Sequence, residues 1–182
     1  MDYTEYKSDY YSSGKLKEEC YLKNGNLHRL DGPALVYYHK NGNKMQEYYY
    51  VNDKLHRLDG PAVINYRENG NIYYEKYYIN GIISGKEYTL IFYHENGNID
   101  SKYSYINEIL HNENNAAVIT FYNNGNLRSE EYYINGELHN KNGFALIMYD
   151  ENNNIVKGRY YLNGVEYLNE LEYLLEISKI NW

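Results

Sequence analysis

Four histidines carry the most obvious chemical potential in this chain: His28, His56, His111 and His139. Ser84 stands one period after His56, where a further member of the column would fall. A zinc site would need several such side chains about 2.0–2.2 Å from one ion. Residues that recur once per β-hairpin are two strand spacings apart, about 10 Å, so they cannot share a metal. The column therefore reads as structural, capping a turn or packing on tyrosine, and no metal site is expected. His39 and His94 share a second column with Arg67 and Tyr122 and read as surface variation. Arg29 with Asp31, and Arg57 with Asp59, admit two readings. They close local pairs that stiffen an Asp-Gly-Pro loop, or they line one edge and present arginine to a partner, since Arg and Tyr are enriched at binding hot spots. Glu18-Glu19 and Glu130-Glu131 are adjacent in sequence, so on a strand they face opposite sides and cannot work as an acid–base pair. No Ser-His-Asp or Cys-His set recurs, so no catalytic residue and no cofactor are assigned, and the chain reads as a non-enzyme.

The elements that position these residues follow from an internal repeat. LHRLDGPA occurs at 27–34 and again at 55–62. Two turn columns set the period. Gly14, Gly42, Gly70, Gly97, Gly125 and Asn153 form the first; Gly25, Asp53, Gly81, Glu108, Gly136 and Gly164 form the second. Successive members of both are 28, 28, 27, 28 and 28 residues apart. Asn precedes every one of these positions except Gly14, which follows Ser13. Asn and Gly tolerate positive φ, so both columns predict type I′ hairpin turns. The segments between are rich in Tyr, Ile and Val, which favour strands. Ala34–Tyr38, Ala62–Tyr66, Thr89–Tyr93, Ala117–Phe121 and Ala145–Tyr149 carry apolar residues on both faces and are expected to be the most buried strands. Tyr49, Tyr77, Tyr132 and Tyr160 recur in the other strand, and their rings are expected to stack in ladders. Residues up to Tyr11 form a polar first strand that blunts the sheet edge. The fourth unit shortens its loop at Ser84-Gly85-Lys86-Glu87.

The predicted fold is all-β. It is an elongated antiparallel β-hairpin repeat of six units of about 28 residues, laid out as a meander or solenoid-like sheet. The array is assigned to residues 1–166 and a C-terminal capping segment to 167–182. Within that segment Asn169 to Lys179 reads as a helix, with Asn169 and Glu172 forming a capping box and Leu171, Leu174, Leu175 and Ile177 forming its apolar face.

Composition narrows the function. The 27 tyrosines place 17% aromatic residues in a chain whose mean hydropathy is −0.81, a choice that builds thin, half-exposed surfaces. A net charge of −7 argues against nucleic acid. Cys20 stands alone, so no intramolecular disulfide forms. The acidic, polar opening after Met1 predicts no signal peptide, and no run is long enough to span a membrane.

The YYINGxLHRLDGPA–YY–NGN pattern resembles the variant MORN-type repeats of large DNA viruses, phages and bacteria. The resemblance covers nearly the whole chain. It implies a β-hairpin repeat used for protein contact or assembly, and it carries over no catalytic residue. The expected function is a non-enzymatic scaffold for protein–protein interaction, of the viral or phage host-interaction or antitoxin-like kind. A protein partner is expected, through His28, Arg29, Asp31, His56, Arg57 and Asp59 or through Tyr49, Tyr77, Tyr132 and Tyr160. The alternative is a glycan or cell-wall binding module, because Tyr160–Gly164 resembles a fragment of choline-binding repeats and exposed aromatics hold quaternary ammonium groups. The repeats themselves lack tryptophan, the single one being Trp182. A monomer or an edge-to-edge homodimer in the cytoplasm, the host's if viral, completes the expectation.

Overall fold

The computed structural model describes residues 2–84 and 87–180. Gly85 and Lys86 of the shortened loop, and Trp182, lie outside the described residues. The chain forms two compact units, Met1–Gly97 and Asn98–Trp182. In the first, Glu5–Tyr10, Leu16–Lys23, Leu35–Tyr38, Lys44–Tyr48, Val63–Tyr66, Ile72–Lys76 and Leu90–Tyr93 pair in that order as an antiparallel meander. In the second, Ile99–Tyr103, Val118–Phe121, Leu127–Glu131, Leu146–Tyr149, Ile155–Leu162 and Val165–Tyr167 do the same. Short two-stranded arms project between main strands, such as Tyr50–Val51 with Lys54–Leu55 in the first unit and Tyr133–Ile134 with Glu137–Leu138 in the second. Each is the far end of a strand that breaks at a tyrosine, Tyr49 or Tyr132, as it leaves the sheet.

The two turn columns differ, contrary to the single turn type expected. The second column is type I′ throughout: Asn52 and Asp53 have φ of 51° and 59°, and Asn107 and Glu108 have 50° and 65°. In the first column only the last residue is left-handed, Gly42 at 100° for example. There Gly42 N–H donates to His39 O and His39 N–H to Asn43 O, and the strand register slips between Tyr37 and Tyr38. This is a type I turn followed by a one-residue bulge. The Asn before Gly is selected here for its side chain: Asn41 Oδ1 accepts the Asn43 N–H at 2.9 Å, and Asn69 and Asn124 repeat the bond.

One face of each meander carries a row in which aliphatic residues alternate with polar ones. Register places Glu19, Val36, Glu47, Ile64, Glu75 and Ile91 side by side in the first unit. It places Lys102, Ile119, Glu130, Ile147 and Gly158 side by side in the second. Val36, Glu47 and Ile64 are buried in the first unit, and Ala34 and Ala62 there, like Ala117 and Ala145 in the second, are fully enclosed. The carboxylates of these rows, buried at Glu47 and half-buried at Glu19, Glu75 and Glu130, are satisfied by tyrosine, as polar groups taken from water require. Tyr38 Oη donates to Glu19 and Tyr66 Oη to Glu47, both at 2.6 Å; Tyr93 Oη donates to Glu75 at 2.8 Å and Tyr149 Oη to Glu130 at 2.6 Å. Where Lys102 replaces the carboxylate, Phe121 replaces the tyrosine and the ammonium lies 5.7 Å from its ring. The strands expected to be the most buried do carry much of the core: Val36, Val63, Ile64, Leu90 and Val118 are buried, and Val63 and Ile64, neighbours in one strand, face opposite sides, whereas Met148 in the last of them is 40% exposed. Continuous tyrosine ladders also give way to alternation, because the rings are spent on Glu and Arg partners.

Side chains tie each repeat to the next. Asn43 Nδ2 donates to Glu68 O, Asn71 to Glu95 O, Asn98 to Asn123 O and Asn126 to Glu151 O, at 2.6–3.0 Å. The second column read as surface variation is another such tie. His39 lies 3.2 Å from Tyr66 O, Arg67 donates to Tyr93 O at 2.6 Å, and Tyr122 donates to Tyr149 O at 2.8 Å. Three chemically different side chains share the position because each can bring a polar hydrogen to the same carbonyl.

The helix spans Glu170–Ile180 and is capped as expected, with Asn169 Oδ1 accepting the Glu172 N–H at 3.0 Å. Its buried residue is different. Tyr173 is 3% exposed, whereas Leu171, Leu174 and Leu175 face solvent at 69, 50 and 56%. The expected leucine face is corrected because one aromatic side chain, with its hydroxyl bonded, fills the single gap that the last loop leaves open.

Candidate functional site

Each HRLDGP loop returns from an arm and crosses a tyrosine, Tyr21 within the strand Leu16–Lys23 or Tyr49 at the break before Tyr50–Val51. Arg29 Cζ lies 4.1 Å from the centre of the Tyr21 ring, and Arg57 Cζ lies 4.1 Å from that of Tyr49. Arg29 Nε donates to Asp31 Oδ1 at 2.7 Å and Arg57 Nε to Asp59 Oδ1 at 2.9 Å. These bonds hold both carboxyls below the ordinary carboxylate range. A Cβ added to Gly32 or Gly60 would sit 3.0 Å from the guanidinium carbon. The glycine is thus needed for close approach: backbone on one side and an aromatic ring on the other clamp the arginine.

The histidine column joins arms. His28 Nδ1 lies 2.8 Å from Asn52 Oδ1 and accepts the Asn52 N–H at 3.3 Å. The Asn80, Asn135 and Asn163 N–H groups donate to His56, His111 and His139 Nδ1, each at 3.1 Å. Each histidine therefore caps the left-handed asparagine of the next arm's turn. Backbone bonds such as Gly81 N–H to Leu55 O and Gly164 N–H to Leu138 O reinforce the stack. His28 is buried, with Nε2 3.2 Å from Asp2.

Between the two arginine loops runs an open groove of about 490 Å³ lined by Arg29, Asp31, Tyr49, His56, Arg57 and Asp59, together with Leu30 and Leu58. The guanidinium side chains are only 23 and 26% exposed, while the Asp31 and Asp59 carboxylates are 65 and 84% exposed. Leu30 and Leu58, at 68 and 74%, are the most exposed of the apolar residues that line it. The second unit has a counterpart groove of about 710 Å³, lined among others by Tyr132, Asn140, Asn142, Gly143 and Phe144. There Asn140 stands where the arginines stand, and its Nδ2 donates to Phe144 O at 2.7 Å, as Arg57 does to Pro61 O at 3.4 Å.

Three segments, 8–24, 89–107 and 115–135, match the MORN repeat variant family. MORN repeats are interaction modules for proteins or membranes. No curated protein matches the chain. No helix among the described residues is long and apolar enough to cross a membrane.

Of the residues singled out from sequence, Arg29, Asp31, Tyr49, His56, Arg57 and Asp59 converge on one groove, and His28 lies behind it as a staple. Tyr77 is one repeat further on, its hydroxyl 3.3 Å from Glu75. Tyr132 lines the second groove. Tyr160 is sandwiched between Phe144 and Tyr173, at centroid distances of 4.4 and 4.7 Å. Sequence reasoning missed Leu30 and Leu58. Their signal is an identical leucine between charged residues in two copies of a loop, where no core position calls for one. It also missed Tyr173, the one aromatic residue in a leucine-rich helix.

Proposed function

We propose that the chain is a non-enzymatic scaffold that binds a protein partner along the loop edge of its first unit. The observation that carries this reading is the pair of projecting leucines, Leu30 and Leu58, at equivalent places on successive loops beside outward carboxylates. Apolar anchors ringed by charge are the usual anatomy of a recognition edge, and the loops beneath are held by internal bonds. The match to interaction repeats supports it. The arginines serve as the frame of this edge; the leucines and aspartates meet the partner. The partner's complementary surface is apolar and basic, and it belongs to the compartment in which the chain works, the host cytoplasm if the chain is viral.

The test is affinity purification from the native host with wild type, a Leu30→Ser/Leu58→Ser variant and a Leu171→Ser/Leu175→Ser variant. A specific partner retained by the helix variant and lost by the loop variant is the expected result. A partner lost only with the helix variant moves function to the C-terminal helix and overturns the proposal.

A further inference from the structure

In the first unit Tyr21 and Tyr49, each eight residues before an arginine, carry that arginine's guanidinium on the ring. Tyr132 in the second unit does not. Asn140 replaces the arginine, reaches only as far as Phe144 O, and among the described residues no cation is placed over the Tyr132 ring. Gly143 keeps the glycine of Gly32 and Gly60. Beside those two glycines the arginine carbon stands 3.0 Å from an added Cβ; beside Gly143 nothing lies within 4 Å. The place of the arginine beside the Tyr132 ring is thus vacant, although Gly143, with φ of 148°, turns differently from Gly32 and Gly60, and this slot lies in the groove of about 710 Å³ that Tyr132, Asn140 and Gly143 line.

We propose that this slot receives an arginine side chain from a partner protein, supplying in trans the group that Arg29 and Arg57 supply in cis. The chemistry is that of a planar cation on an aromatic face. Asn142 occupies the place of Asp31 and Asp59 and offers a neutral carbonyl in place of a carboxylate, while Glu113 on the preceding loop brings negative charge to the groove. Lys141, where the first unit has leucine, stands at the rim and selects against a second cation there. This inference concerns different loops from the leucine edge and stands or falls separately from it.

The test titrates the full chain with the peptide acetyl-Gly-Arg-Gly-amide and with its citrulline counterpart, which has the same shape without the charge. Binding is followed by NMR at the Tyr132 ring and the Gly143 amide. Saturable shifts with the arginine peptide, at least tenfold weaker with citrulline, are expected. Asn140→Arg should fill the slot from within and abolish the shifts, Asn140→Gln should leave them, and Asn142→Asp should tighten binding several-fold. Equal binding of the two peptides, shifts confined to the first unit, or an Asn140→Arg variant that still binds would overturn the proposal. Failure of the leucine variants in the pull-down with success here would separate the two sites.

Discussion

The two HRLDGP loops of the first unit are closed by charge and their counterparts in the second by amides. At 28–34 and 56–62 an arginine, a tyrosine ring, a carboxylate and a glycine form one clamp. At 111–117 and 139–145 asparagine performs the part of the task that concerns backbone: Asn112 Oδ1 accepts the Asn114 and Asn115 N–H groups, and Asn140 caps Phe144 O. The frame beneath is the same in both, since histidines staple the arms in each. The difference teaches that loop closure needs only local hydrogen bonds, which two side-chain chemistries can supply. What the arginine adds is cover for a tyrosine face, and its absence leaves that face open to a ligand.

The sharpest contrast should appear at alkaline pH. Tyr38, Tyr66 and Tyr93 in the first unit, and Tyr149 in the second, have hydroxyls raised above the usual 10.0, by burial first and then by the carboxylate each one bonds. Tyr133 beside Glu131 is pushed up to about 12. The fold favours the neutral phenol, so the stability these groups contribute is complete below pH 10 and is lost as pH rises from there through the folded-state values. Urea midpoints measured between pH 9 and 11.5 should fall for wild type. The decline should flatten more in Tyr38→Phe/Tyr66→Phe/Tyr93→Phe than in Tyr149→Phe; equal flattening would break the contrast between units.

Next in size is the end of the second unit. Tyr173→Ala removes a side chain stacked on Tyr160 whose hydroxyl donates to Asn140 O and accepts the Gly143 N–H, both at 3.0 Å. It should cost about 3 kcal/mol by urea denaturation, whereas Leu171→Ala should change stability by less than about 0.5 kcal/mol. Arg57→Ala should cost about 1–2 kcal/mol through lost ring cover and loop closure. Arg57→Asn should recover about half of that by copying Asn140, and no recovery would mean that the two loop chemistries are not equivalent. The smallest effect is expected in a double-mutant cycle at the Lys102–Phe121 pair. Lys102→Glu with Phe121→Tyr rebuilds the carboxylate–tyrosine bond of the other repeats. Its coupling should be about 1 kcal/mol; zero coupling would make the paired exchange accidental.

Much of this architecture was legible because the repeat multiplies every local signal. The 28-residue period, the paired strands, the asparagine turns and the cap at Asn169 are short-range effects of backbone conformation, and six copies state them repeatedly. The histidine column reads as structural for the same reason, though whether it caps a turn or packs on tyrosine is decided only by the structure. Position along the period was not enough where a side chain's partner lies in the next repeat. His39, Arg67 and Tyr122 share no chemistry that pattern reading would group, yet they reach equivalent carbonyls. The first turn column looked identical to the second because Asn-Gly suits both a type I′ turn and a type I turn with a bulge; only the flanking register separates them.

The sequence by itself determined the all-β class, the repeat and the placement of turns, since these depend on residue type and spacing alone. The tertiary structure decided which groups are spent and which are left over. Arginine, which the sequence left between stiffening its loop and meeting a partner, is mostly enclosed because its loop folds back across a tyrosine and a glycine. Leu30 and Leu58 project because the same fold leaves them no core to enter. The leucines of the helix stay in solvent because Tyr173 alone reaches the last loop. Burial is a property of what packs against a residue, and here that is settled by how loops and arms cross the sheet.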